Sequence, residues 1–163
     1  MSIEAIKNFL DGFSIEVTPR AAAKIDNFAD LIPKGTLIYI AHIEGTHIED
    51  MVATAKKITD QGFYPMPHFP ARIIKNKTVL QDWISRYKNE ANVCNALLFA
   101  GGANKPYGEY DSSIQLIESE LFDEVMVSTD DTEIADISIR YGAKVPFFRS
   151  KKNSDDFSTL SLI

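Results

Sequence analysis

Residues 36–41 read Thr-Leu-Ile-Tyr-Ile-Ala, a short run rich in β-branched and aromatic side chains. Only its first residue is polar, and such a run is typical of a strand in a parallel sheet, where both faces are covered. Comparable short runs alternate with helical stretches along the chain. They lie at residues 13–17, 64–68, 95–100, 124–128 and 144–148. The pattern predicts an α/β protein of alternating βα units with a mainly parallel sheet.

Helix signals fill the intervals between these runs. The Thr-Pro pair at residues 18–19 predicts a helix over 18–32, because proline is tolerated in a first turn. Thr46 and Glu49 have the spacing of a capping box, and the helix that they open is predicted to end at Gly62. Further helices are predicted at residues 78–87, 112–120 and 130–142.

Composition limits the classes of partner. The 163 residues carry a net charge of −6, which disfavours binding to nucleic acid or to an anionic membrane surface. We find no run of about 18 apolar residues and no signal peptide, so we expect a cytoplasmic protein with no membrane partner. The single cysteine, Cys94, excludes an internal disulfide and a Cys-rich metal site, and we predict no metal ligands.

Three polar side chains lie toward the carboxyl ends of successive predicted strands. Glu16, His42 and His68 follow one another at intervals of 26 residues, the length of one βα unit. The carboxyl edge of a parallel sheet is where α/β proteins bind ligands, so these residues are candidates for one site. The alternatives are a buried carboxylate with a structural partner at Glu16 and a solvated loop position at His42. The basic group Arg72, Lys75 and Lys77 either holds a phosphate or forms a solvated face.

Residues 13–119 resemble the methylenetetrahydrofolate reductase family. The resemblance is carried by Ser-Ile-Glu-Val-Thr-Pro-Arg at 14–20, Pro-His-Phe at 67–69 and Leu-Leu-Phe-Ala-Gly-Gly at 97–102. The family is a flavin-containing (β/α)8 barrel that reduces methylenetetrahydrofolate with a nicotinamide. The resemblance implies FAD as the cofactor and a small-molecule substrate.

The same resemblance assigns roles to individual residues. Glu16 matches the general acid of the family, and His68 matches the histidine that lies against the flavin. Gly102 stands where the family has an aspartate that faces the flavin, and Gly101 beside it permits a close backbone approach. We therefore place His68, Gly101, Gly102 and His42 at the cofactor and Glu16 as the catalytic residue. Strands five to eight of the barrel have no counterpart, so the first predicted domain, 1–119, is an incomplete barrel.

Residues 121–163 resemble the acylneuraminate cytidylyltransferases, including the enzymes that activate pseudaminic acid. The resemblance is carried by Phe-Asp-Glu-Val-Met-Val-Ser-Thr-Asp-Asp-Thr-Glu-Ile-Ala at 122–135 and Tyr-Gly-Ala-Lys-Val-Pro-Phe at 141–147. It implies a Rossmann-like βαβ segment over the second predicted domain, 120–163, and a requirement for CTP and Mg²⁺. The basic, glycine-rich loop that holds the triphosphate in that family has no counterpart in this sequence.

Three functions follow from the two resemblances. The first is a truncated or fused relative of flavin-dependent methylenetetrahydrofolate reductase, an oxidoreductase of one-carbon metabolism, whether active or not. The alternative is a fragment of a cytidylyltransferase for sialate or pseudaminate, and the second alternative is a non-catalytic α/β remnant. An open sheet also exposes its edge strands, which favours a homo-oligomer.

Overall fold

The computed structural model describes residues 2–150, and the chain divides into two compact units. We call residues 1–112 the front unit and residues 113–163 the back unit. No helix among the described residues is both long enough and apolar enough to cross a membrane.

The front unit contains a four-stranded parallel sheet. Its strands are β1 (Ser14–Val17), β2 (Leu37–Ile40), β3 (Tyr64–Pro70) and β4 (Leu97–Phe99). They lie side by side in chain order, and all three pairings are parallel. The prediction of an α/β fold with a parallel sheet is confirmed. The incomplete barrel is not shown, because the described strands form an open sheet.

Six α-helices lie in the described part of the chain. The front unit has α1 (Ile3–Phe9), α2 (Pro19–Ala22), α3 (Ile48–Asp60) and α4 (Lys77–Ala91), with 3-10 turns at Phe28–Asp30 and Ala71–Ile73. The back unit has α5 (Ser113–Glu118) and α6 (Thr132–Arg140).

The two faces of the sheet differ in what covers them. On one face Ile38, Ile40 and Phe69 are buried, and α3 packs against β2, β3 and α4 there. Because side chains alternate along a strand, the residues between these point to the opposite face. There Tyr64 is 65% exposed and Leu97 is 39% exposed, so no helix layer covers them. We call this side the uncovered face, formed by Ser14, Glu16, Leu37, Tyr39, Tyr64, Met66, His68, Leu97 and Phe99.

Strand β3 continues through Pro65 and Pro67, although proline has no amide hydrogen to donate to a neighbouring strand. The amide of Tyr64 donates to the carbonyl of Thr36 at 3.3 Å, which places this amide on the side of β2. The next residue, Pro65, therefore turns its nitrogen away from β2, and Pro67 does the same. On that other side β4 pairs only from His68 onward. The prolines thus remove donors where no neighbouring strand needs them.

The helix predicted over residues 18–32 is wrong in its length. Only the four residues of α2 are α-helical, because side chains from the C-terminal end of α3 and from the residue after it bind the backbone that follows. The ammonium of Lys57 donates to the carbonyls of Ala22 and Ile25. The amide of Gln61 accepts from the Phe28 nitrogen at 2.8 Å and donates to the Asp26 carbonyl at 2.9 Å. These tertiary hydrogen bonds replace the bonds of a longer helix.

The fifth and sixth predicted strands are also incorrect as full strands. Residues 124–128 and 144–148 run parallel, but they are joined only by isolated bridges, from Met126 to Lys144 and from Thr129 to Phe148. Helix α6 connects them and buries Ala135. The predicted order of strand, helix and strand is therefore present, but the two strand segments pair only at these two bridges.

Candidate functional site

Two of the predicted site residues meet on the uncovered face. Glu16 lies in β1 and His68 in β3, and Nε2 of His68 is 3.4 Å from a carboxylate oxygen of Glu16. The distance is that of an ion pair, but the ring nitrogen has no aligned hydrogen-bond partner. The carboxylate is 59% exposed, whereas the imidazole is almost buried. The exposed carboxylate of Glu16 thus lies beside the largely buried imidazole of His68.

Aromatic rings fix the orientation of the His68 imidazole. Phe99 meets it edge-on with ring centroids 5.2 Å apart, and Tyr39 does so at 6.0 Å. Burial lowers the pKa of His68 below its ordinary value, and the nearby carboxylate of Glu16 opposes that effect. The ring is therefore biased toward the neutral form, in which one nitrogen can accept a proton.

His42 takes up a different environment from the pair. Its ring lies 4.8 Å from the ring of Trp83 on α4, and its Nε2 is 3.2 Å from the carbonyl of Thr46. Burial lowers the pKa of His42, the hydrogen bond to Thr46 opposes this, and the charge of His68 lowers it slightly further. The other ring nitrogen, Nδ1, is buried without a hydrogen-bond partner. The charge of His68 thus affects the pKa of His42, but no contact between the two side chains is shown.

The two glycines after β4 occupy unequal positions. Gly101 has a φ of +94°, and an added Cβ would lie 2.9 Å from Cβ of Pro70. Both facts favour glycine there. Gly102 is exposed, and an added Cβ would meet nothing within 4 Å. The loop that begins with these glycines is held by Arg72, whose guanidinium donates to the carbonyl of Ala103 and to the Asp111 side chain at 3.0 Å. Arg72 is therefore a loop clamp in this structure.

The acidic residues of the back unit are engaged in local contacts. Asp131 caps α6, with its carboxylate accepting from the Ile134 amide at 3.0 Å. Asp130 pairs with Arg149 at 3.1 Å, where the two bridged segments end. Among residues 2–150, no three His, Cys, Asp or Glu side chains come close enough together to hold a metal ion.

A cavity of about 300 Å³ also lies within the back unit. Its lining includes the carboxylates of Glu120 and Asp123 beside Phe122 and Tyr141. Two carboxylates repel a triphosphate, so this cavity does not suit the phosphate end of a nucleotide.

Comparison with known proteins identifies similarity in the back unit. A family model described as Cytidylyltransferase matches residues 113–163. The back segment is similar to cytidylyltransferases. Pseudaminic acid cytidylyltransferase of Campylobacter jejuni subsp. jejuni serotype O:2 is 45% identical over 47 residues, which are 29% of this chain and 20% of that protein. CMP-N,N'-diacetyllegionaminic acid synthase of Legionella pneumophila subsp. pneumophila is 40% identical over 45 residues, 28% of this chain and 19% of that protein. The chain spans about a fifth of the length of the curated relatives it matches.

These matches correct the first functional prediction. The flavin-dependent methylenetetrahydrofolate reductase interpretation is wrong, and with it the expectations of an oxidoreductase and of FAD. The names of the matching proteins indicate cytidylyl transfer. This reaction transfers a nucleotidyl group without oxidation or reduction, so it needs no flavin. The cytidylyltransferase alternative fits better, and the predicted resemblance of the back segment is confirmed.

The sequence alone did not indicate the residues that surround the Glu16–His68 pair. Tyr39 lies in register with Glu16 on the neighbouring strand, and Phe99 lies opposite Pro70 on β4. The alternation of side chains along the strands could have placed Tyr39 on the face of Glu16. It could not have revealed the role of Arg72, because the residues that Arg72 binds, Ala103 and Asp111, are far from it in sequence.

Proposed function

We propose that residues 113–163 supply part of a cytidylyltransferase fold and that this chain takes part in cytidylyl transfer from CTP to an acidic sugar of the pseudaminic acid class. The match of this segment to the family model, with 45% identity to a pseudaminic acid cytidylyltransferase, is the observation that supports it. The reaction would join a sugar hydroxyl oxygen to the α-phosphorus of CTP and break the bond to the β-phosphate. Pyrophosphate would leave, and the hydroxyl proton would pass to a base.

Such a transfer needs positive charge beside the phosphates. Within the described back unit, Arg149 is the cation best placed for that purpose. It lies where the two parallel segments end, which is the edge at which α/β sheets bind ligands. Its Nη2 contacts Asp130, and a guanidinium has further N–H donors that a phosphate oxygen could accept. We assign Arg149 to the α-phosphate side of the nucleotide.

Titration calorimetry of the full chain with magnesium CTP tests this function. We expect saturable binding that ATP does not reproduce, and we expect Arg149→Met to weaken it at least tenfold. Arg140→Met is the matched control, because Arg140 ends α6 at the opposite end of the segment and should leave binding unchanged. Absence of CTP binding, or equal loss in both variants, would contradict the proposal.

A second candidate function is supported by the Glu16–His68 pair. We propose that this pair binds a small molecule on the uncovered face and exchanges a proton with it. The unpartnered Nε2 of His68 beside an exposed carboxylate supports it.

Histidine-detected NMR with a library of small carboxylic acids and amides tests this second function. Ligands of the pair should shift the His68 resonances in the parent chain and lose that effect in Glu16→Gln. The exposed Glu44→Gln serves as the control and should retain the shifts. Shifts that persist in Glu16→Gln would rule out the pair as the binding site.

A further inference from the structure

A groove between α2 and α3 lies apart from the sites described above. It has a volume of about 630 Å³, within the range of about 300–1,000 Å³ that is usual for small-molecule sites. None of the residues that line it belongs to the uncovered face or to the back unit. The groove is therefore a separate candidate for ligand binding.

Helix α3 forms one wall of the groove. Asp50 is followed on this wall by Ala53, Thr54 and Lys57, which are three, four and seven residues further along the helix. Residues with this spacing lie on one face of a helix. Asp50 and Lys57 are about 10 Å apart along the helix axis, so the wall has an acidic residue at one end and a basic residue at the other.

The opposite wall comes from segments that directly follow two strands. Pro19, Arg20 and Ala23 belong to α2 and its C-cap, just after β1, and Ile43 belongs to the loop after β2. The carboxyl ends of parallel strands are where α/β proteins bind ligands. Ile43 is 56% exposed, and a ligand in the groove would cover this apolar side chain.

Most polar groups of the groove already have partners within the protein. The Thr54 hydroxyl donates to the carbonyl of Asp50 at 2.7 Å, and the Lys57 ammonium donates to two carbonyls in and after α2. The hydroxyl oxygen of Thr18 accepts from the amide of Ala21 at 3.1 Å. These contacts stabilise the two walls and leave the same groups little capacity to bind a ligand.

Arg20 and Asp50 are the exceptions among the charged side chains of the groove. Both residues are exposed, and neither side chain forms a hydrogen bond or an ion pair with the other or with any residue in the range 2–150. The groove thus offers one free cation and one free anion beside apolar walls. This arrangement is complementary to a molecule that carries one charge of each sign.

We propose that the groove binds a small zwitterion with an apolar side chain, of the class of the free apolar α-amino acids. The carboxylate of the ligand accepts from the Arg20 guanidinium, whose paired N–H groups suit a carboxylate. The ammonium group of the ligand donates to the carboxylate of Asp50. Its apolar side chain covers Ile43, which removes apolar surface from water. The proposal is independent of cytidylyl transfer and of the Glu16–His68 pair.

Titration calorimetry of the full chain with three related probes tests the proposal. Leucine has both charges, leucinamide lacks the carboxylate, and N-acetylleucine lacks the ammonium group. We expect leucine to bind saturably at a single site. Each of the other probes should bind weaker by roughly tenfold or more, because one charged group of the groove is then left without its partner.

Two variants assign the charges of the ligand to the two residues. Arg20→Met should weaken binding of leucine and N-acetylleucine by roughly tenfold and leave leucinamide unchanged. Asp50→Asn should weaken leucine and leucinamide to the same degree and leave N-acetylleucine unchanged. Lys24→Met and Asp82→Asn are the matched controls, because both residues are exposed and lie outside the lining of the groove. They should leave the affinity for every probe unchanged.

Three outcomes would overturn the proposal: no saturable binding of leucine, equal affinity for the three probes, or equal weakening by the variants and their controls. The comparison of the probes in the parent chain requires no variant, and circular dichroism checks that each variant is folded. Leucine should also leave the NMR resonances of His68 unshifted. A shift there would place the ligand on the uncovered face and would equally contradict the proposal.

Discussion

Replacement of Gly108 by alanine should release the loop that crosses the segment after β3. A Cβ at Gly108 would fall on the backbone of Lys75, which cannot move aside as the end of a flexible side chain would. The loop must therefore lift. Two backbone hydrogen bonds hold it there, from Tyr107 to Arg72 at 2.7 Å and from Glu109 to Lys75 at 3.0 Å. Since a backbone hydrogen bond contributes about 1 kcal/mol net, Gly108→Ala should lower the free energy of unfolding by about 2 kcal/mol.

Urea denaturation followed by tryptophan fluorescence measures this loss. Trp83 is the single tryptophan of the chain and belongs to α4 of the front unit, so its signal reports on the unit that contains the loop. Gly102→Ala is the matched control, because an added Cβ there meets nothing, and we expect a change within about 0.5 kcal/mol. Equal midpoints for Gly108→Ala and Gly102→Ala would refute the close packing of the loop. Hydrogen exchange at Tyr107 and Glu109 should accelerate in the first variant only.

Three further predictions concern charge and capping. Burial lowers the pKa of His42 and His68, so the unfolded chain binds more protons than the folded chain just below pH 6.5. The free energy of unfolding should therefore fall as the pH drops through that region. Urea midpoints at pH 7.5 and 5.5 measure the change, and equal midpoints would contradict it. Lys57→Met removes two hydrogen bonds to backbone carbonyls and should destabilise the front unit by about 2 kcal/mol in thermal or urea unfolding. The exposed Lys56→Met, which breaks only a surface ion pair, should cost less than about 1 kcal/mol. Asp131→Ala removes the cap of α6 and should lower the stability of that helix by about 1 kcal/mol. Amide hydrogen exchange in the first turn of α6 should become faster. Unchanged exchange would argue against the cap.

Local signals in the sequence predicted most of the front sheet. Each of the first four apolar runs overlaps an observed strand, because β-branched and aromatic side chains suit a buried parallel sheet. The spacing of Thr46 and Glu49 located α3 to within two residues of its start, but the predicted capping box is wrong, because the N-cap is His47 and no side chain caps the helix. Glu16 and His68 lie on one sheet, but the register places Glu16 in line with Tyr39 and Met66, so the sequence spacing did not predict their contact.

The errors occurred where distant residues determine the backbone conformation. Residues 18–32 have helix signals, yet Lys57 of α3 and Gln61 directly after it take the hydrogen bonds that a helix would have made. Residues 124–128 have a strand pattern, but the described part of the chain pairs them only at isolated bridges. The folate reductase interpretation depended on short motifs, and similarity to known proteins contradicted its function.

The sequence by itself determined the α/β class, the parallel strands and the similarity of the back segment, because hydrophobic periodicity and dense local motifs need no knowledge of distant contacts. Only the tertiary structure decided the strand order, the uncovered face and the pairing of Glu16 with His68. It also decided that Arg72 clamps a loop, since its acceptors lie more than thirty residues away along the chain. These features depend on contacts between residues that are far apart in sequence. The register of the strands and the path of the loops determine those contacts.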